Sequence, residues 1–199
     1  MNNSEQIAAI YKRFQNTLQP IDRRIKFKIP HAKELLKVFA ENYLKTRGLN
    51  FTYLPEYDQI AEWLADNKGK GLFLFGNCGL GKTMIVRHVI TPILLIYTDK
   101  VVKHIDAVKL GDFIYSNPKI GGLISVDDVG TESLEKVIYG DRIIPFSEFM
   151  DSCEKNDALP IITTNLTAKQ IVERYGDRTL DRIKSTCVRI CLTGDSFRS

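Results

Sequence analysis

An α/β fold is predicted, with a parallel β-sheet held between layers of helices, and three observations carry that prediction. From residue 71 onward, short apolar runs alternate with helical stretches. One such run, Gly71-Leu72-Phe73-Leu74-Phe75, leads into a glycine-rich loop, Gly76-Asn77-Cys78-Gly79-Leu80-Gly81-Lys82-Thr83, and then into residues 84–90, which can continue as a helix. Another, Leu123-Ile124-Ser125-Val126, ends in the paired carboxylates Asp127 and Asp128.

In chain order, residues 4–18 carry apolar side chains at 7, 10, 11, 14 and 18, a helical stripe with Ser4 as its N-cap and Pro20 as its stop. Arg23-Arg24-Ile25-Lys26-Phe27-Lys28 reads as a solvated, charged linker. Residues 31–47 form a second helix, closed by Gly48, and residues 58–67 a third. After the glycine-rich loop, Pro92 is expected to kink or end the helix that begins near Lys82. Val101–Asp106 alternates like a strand, 107–115 is helical, and Asn117-Pro118 turns the chain toward the strand at 123–128. Residues 143–155 make an amphipathic helix with Pro145 in or before its first turn. A buried strand follows at 159–164, then helices at 167–175 and 179–184, and a last strand at 186–192.

The 199 residues, 44% hydrophobic and 26% charged, allow one domain with a sizeable core and a small N-terminal appendage. A net charge of +4 is mildly basic, compatible with an anionic partner but far from a polyelectrolyte. The N-terminus is polar and unlike a signal peptide, and the longest apolar stretch, 89–97, is far short of the roughly 20 residues that cross a membrane. Cys78, Cys153, Cys187 and Cys191 show no metal-ligand spacing, so core thiols and a reduced cytoplasmic setting are expected. His31, His88 and His104 are scattered and likewise form no ligand pattern.

The loop at 76–83 is G-x-x-x-x-G-K-[ST] in strand–loop–helix context, and the chemistry of phosphate binding explains its spacing. Glycines let backbone N–H groups close on phosphate oxygens, and the following helix adds its positive end. Lys82 then reaches the β- and γ-phosphates, and the Thr83 hydroxyl ligates Mg²⁺. A strand ending in Asp127-Asp128 supplies the other half of a hydrolytic site. Asp127 is expected to hold Mg²⁺ through its water shell, and Asp128 to orient and deprotonate the attacking water. Asn165, after Thr163-Thr164, is placed to hydrogen-bond the γ-phosphate or that water. Arg178 and Arg182, four apart, share a helix face, either as a solvated or salt-bridged pair or as arginines offered to a neighbouring subunit's site.

The ordered set GNCGLGKT (76–83), LISVDDVG (123–130), IITTNL (161–166), ERYGDRTLDRI (173–183) and LTGDSFR (192–198) resembles the DnaC/DnaI/IstB group of AAA+ ATPases, the bacterial helicase loaders and related transposition ATPases. The likeness spans roughly residues 55 to 198, and the YGxRxxDR box is its most particular motif. It implies an α/β P-loop NTPase of AAA+ type, with a five-stranded parallel sheet between helices and no C-terminal helical lid. Residues 55–199 become the ATPase core, and residues 1–54 a helical N-terminal segment that either binds the partner or packs on the core.

By the same resemblance, Lys82 and Thr83 match the Walker A pair, Asp127 and Asp128 the Walker B pair, and Asn165 sensor 1. Arg178 and Arg182 match the finger box, with Arg182 favoured as the finger. ATP and Mg²⁺ are the implied cofactors. The implied partners are a DnaB-type hexameric helicase, single-stranded DNA and further copies of this chain sharing ATP sites. Two alternatives stand beside this reading: an IstB-like ATPase regulating a transposase on duplex DNA, and a nucleotide-dependent binding module with negligible turnover. Loaders carry a longer two-helix insertion where this chain has only residues 107–122, and the N-terminal segment lacks cysteines for a zinc domain.

Overall fold

A computed structural model describes residues 3–17, 23–138, 140–194 and 196–197. Nine α-helices and seven strands occur among them, in the order α1 (Asn3–Thr17), α2 (Ala32–Lys45), α3 (Tyr57–Ala65), β1 (Gly71–Gly76) and α4 (Lys82–Met84). A π-helical stretch (Ile85–Ile90) runs without a break into α5 (Thr91–Thr98). Next come β2 (Val102–Asp106), a 3-10 turn (Ala107–Lys109), α6 (Leu110–Ser116) and β3 (Leu123–Val129). The remainder is β4 (Lys136–Ile138), β5 (Asp141–Ile143), α7 (Pro145–Lys155), β6 (Leu159–Thr164), α8 (Ala168–Tyr175), α9 (Asp177–Thr186) and β7 (Cys187–Leu192). No helix of the described residues is long and apolar enough to cross a membrane.

The five-stranded sheet has the order β2-β3-β6-β1-β7 and is parallel throughout. Its inner strands β1, β3 and β6 are apolar toward both faces, as a sheet covered on both sides requires, while the edge strands β2 and β7 carry exposed positions. Leu72, Leu74, Ile161 and Ile190 point into one core with α2, α3 and the π-helical stretch; Phe73, Ile162, Ile124 and Val126 point into the other with α7, α8 and α9. Cys153 and Cys187 are buried in that second core, whereas Cys191 is exposed on β7, an edge strand with one open side. The expectation of core thiols thus holds for two of the four cysteines, Cys78 being exposed on the glycine-rich loop.

Three local readings are corrected. Pro92 does not end its helix: it takes the first turn of α5, and the wider π turn before it lets Thr91 N–H reach back to Val86 O. Residues 23–29 are not a free linker. Ile25, Phe27 and Ile29 alternate inward, and the buried Asn67 side chain clamps them, accepting from Phe27 N–H (2.9 Å) and donating to Ile25 O (2.9 Å). β4 and β5 pair as an antiparallel hairpin, in segments where no strand is expected. The described part of α1 presents its apolar stripe, Ile7, Ile10, Tyr11 and Phe14, exposed; Leu18 and Pro20 lie outside the described residues.

Candidate nucleotide site

The C-terminal ends of β1, β3 and β6 lie side by side, so the loops leaving them converge at one edge of the sheet. The glycine-rich loop starts there because Gly76 sits at φ 133, with a Cβ position 2.1 Å from Leu192 O of β7. Any side chain would push the two strands apart. Gly79 is equally constrained: its φ is 86, and a Cβ would meet Ser196 Oγ at 2.0 Å. Asn77 and Cys78 are exposed on the loop, Leu80 is buried beneath it, and Gly81 (φ 75) precedes α4.

Lys82, only 7% exposed, bends over the loop and donates to Gly76 O (2.9 Å), Asn77 O (2.7 Å) and Asn165 Oδ1 (2.8 Å). Asn165 uses the other half of its amide on Asp128, Nδ2 to Oδ1 at 3.0 Å. One neutral side chain therefore joins the cation and the carboxylate. Thr83 Oγ1 donates to Asp127 Oδ1 (2.9 Å), bringing a hydroxyl and a carboxylate oxygen together as a hard divalent cation prefers.

The two carboxylates are aimed differently by the backbone. The β3–β6 register slips between Val126 and Val129, and Asp128 takes φ 61, the left-handed region that Asp tolerates better than most residues. This bulge lets consecutive residues both serve one site, where a regular strand would send them to opposite faces. Thr163 holds the arrangement: its hydroxyl donates to Asp127 Oδ1 and accepts from Asp128 N–H (2.9 Å). Arg87, one helical turn beyond Thr83, pairs with Asp106 and lies 3.5 Å from Asp127 Oδ2. Neither Thr163 nor Arg87 was singled out by motif. The i, i+4 spacing of Thr83 and Arg87 was the available signal.

A cavity of about 600 Å³ extends from this cluster. Gly79, Gly81, Lys82, Thr83, Asp128 and Asn165 line one end, and Tyr43, Arg47, Phe51, Tyr57, His88 and Phe197 line the rest. Phe51 and Tyr57 stack at 5.6 Å, and burial pushes the Tyr57 phenol up to about 12. Tyr43 stacks on His88 at 4.1 Å with the Arg47 guanidinium 4.9 Å from its ring. Burial, then the charges of Arg47 and Arg87, hold the His88 imidazole below its ordinary range. A flat, apolar group with polar edges suits this end. Apart from Phe197 of the terminal motif, its residues come from α2 and the turn after it, the chain from 49 to the start of α3, and the π-helical stretch, so no local motif announces them.

The segment after β7 lies across the loop. Phe197 N–H donates to Gly79 O (3.1 Å), and Thr193 donates to Glu56 through N–H (3.2 Å) and its hydroxyl, which keeps the Glu56 carboxyl below its usual range. Asp195 and Arg198 of the terminal motif lie outside the described residues.

Arg178 and Arg182 are not among the residues lining the cavity. Arg182, 13% exposed, is paired with Asp151 and with Glu154 Oε2 (3.2 Å) on α7. Arg178 is 82% exposed and comes no closer than 3.9 Å to Asp151.

The sheet order, the glycine-rich loop leaving β1 and the carboxylates at the end of the adjacent-but-one strand β3 define a P-loop α/β fold. Among solved structures, that of DnaI matches at a TM-score of 0.50 over 81% of this chain and 82% of that one, with 20% identity. AMPPCP-bound DnaA from Aquifex aeolicus matches at 0.51 over 73% of this chain and 49% of that one, with 15% identity. The expected fold is therefore the observed one. No protein-family model matches the sequence, and no curated protein matches it.

Proposed function

We propose that this chain binds and hydrolyses ATP and acts as a helicase loader in DNA replication, its ATP sites completed by neighbouring copies. The observation that carries this reading is the convergence of Lys82, Thr83, Asp128 and Asn165 on one cavity with an aromatic end, with Asp127 bonded to Thr83 behind it. Lys82 and the loop N–H groups hold the β- and γ-phosphates, and the aromatic end takes the base. Thr83 and Asp127 are the residues that would hold Mg²⁺, which would supply positive charge against the negative charge developing on the phosphates. Asp128, left-handed on its bulge and braced by Asn165, accepts the proton of the attacking water.

The stabilising arginine comes from a second copy, since neither candidate lines its own cavity. Arg178 fits that role better than Arg182. Its exposed guanidinium can enter a neighbour without first breaking a partly buried ion pair, whereas Arg182 ties α9 to α7. The loader reading rests on the YGxRxxDR box (175–182), supported by the DnaI-like fold.

The partner is tested by presenting immobilised Asp128→Asn protein, with Mg-ATP, to the purified hexameric replicative helicase of its host. Nucleotide-dependent retention of the helicase is expected. Failure to retain it, with retention of a transposase under the same conditions, would move the protein to the transposition ATPases.

A further inference from the structure

Between the Asp127-Asp128 pair and the arginine-bearing helices lies a buried polar connection that nucleotide chemistry does not require. Glu132 is only 4% exposed, an uncommon position for a carboxylate. Its Oε2 accepts from Gly130 N–H (2.8 Å), its Oε1 accepts from the Tyr175 hydroxyl, and its backbone carbonyl accepts from the Arg174 guanidinium. Arg174 Nε also donates to the Tyr175 hydroxyl (3.1 Å). On the site side, Thr131 holds Asp128 O through both N–H (3.3 Å) and hydroxyl (2.8 Å). On the helix side, Tyr175 O accepts from the Thr179 hydroxyl (3.0 Å), one residue beyond Arg178, and the Tyr175 ring packs 4.9 Å from Phe146. A continuous set of hydrogen bonds thus runs from the strained Asp128 backbone to the α8–α9 corner.

We propose that the Glu132–Tyr175 pair is a strut that sets the aim of Arg178, so that each chain's own carboxylate loop positions the arginine it offers to a neighbour. Glu132 and Tyr175 are positioning residues, touching neither nucleotide nor water. This inference rests on Arg178 acting in the neighbouring site. A buried, fully bonded network holds its members in one geometry, and a misplacement near 1 Å can cost on the order of 10²-fold in rate.

The test uses donor subunits silenced in their own site. Wild-type protein is mixed with excess Asp128→Asn subunits, which bind ATP, do not turn it over and still offer an arginine. Turnover per wild-type subunit is compared with that given by donors carrying Asp128→Asn with Tyr175→Phe, with Glu132→Gln, or with Arg178→Ala. Tyr175→Phe keeps the ring against Phe146 and guards against loss of fold. ATP affinity of each donor's own site reports integrity. Donors with Tyr175→Phe or Glu132→Gln are expected to lower wild-type turnover about tenfold to a hundredfold while binding ATP as tightly as Asp128→Asn alone. If these donors sustain full turnover while Arg178→Ala donors do not, the strut is refuted and the trans arginine stands. If Arg178→Ala donors also sustain it, the trans arginine falls and the strut with it.

Discussion

At the scale of single residues, the site works by sharing atoms. The Thr163 hydroxyl serves both carboxylates, the Asn165 amide serves both Lys82 and Asp128, and Asp127 Oδ1 is met by two hydroxyls. Such sharing predicts separable failures. Lys82→Ala removes the only cation that reaches the loop carbonyls among the described contacts, and equilibrium binding should show ATP affinity reduced at least tenfold. Asp128→Asn keeps a residue tolerant of the left-handed backbone, so binding should persist while turnover falls by about 10² or more. Equal binding by Lys82→Ala, or wild-type turnover by Asp128→Asn, would remove those residues from their assigned roles. Motif spacing singled out Lys82, Thr83, Asp127, Asp128 and Asn165, which the structure brings together, because each lies at a fixed offset from a strand end. Thr163 and Arg87 meet carboxylates distant in sequence, as Glu132 meets Tyr175 and Arg174, and nothing in the sequence around them marks those contacts.

At the scale of elements, α9 is held on two sides. The Arg182 ion pairs fasten it to α7, Ile183 is buried beneath it, and Thr179 bonds both Ser147 and the end of α8. Arg182 and Arg178 should therefore separate by assay, not merely by degree. Arg182→Ala leaves Asp151 without its nearest guanidinium in a half-buried setting, and thermal melting should register a loss of about 1–3 kcal/mol. Arg178→Ala should leave melting within about 0.5 kcal/mol of wild type and lower turnover of the assembled protein. The reverse pattern would make Arg182 the reaching arginine. The amphipathic helix α7 was readable from periodicity because one face meets a core, and β6 from its continuous apolar run, buried on both faces. Reading failed where backbone geometry departs from the regular forms. The π turn that carries the chain through Pro92 and the short β4–β5 hairpin, with few buried side chains, leave no periodic trace.

At the scale of the molecule, one sheet edge gathers nearly all the chemistry, while α1 and the exposed arginine of α9 face outward. The fold was readable because strand–loop–helix order and apolar strands constrain a parallel sheet strongly. The aromatic end of the cavity was not, since it is assembled from segments far apart in the chain, such as Tyr43 and His88. The central claim is that a single chain holds an incomplete ATP site and a second copy completes it. The measurement that bears on it most directly is Mg-dependent ATP turnover per subunit, followed over a wide range of protein concentration at saturating ATP. The account predicts a rise with concentration to a plateau, and a flat, low response for Arg178→Ala. Absence of turnover at every concentration, or a rate per subunit that does not change on dilution, would contradict it.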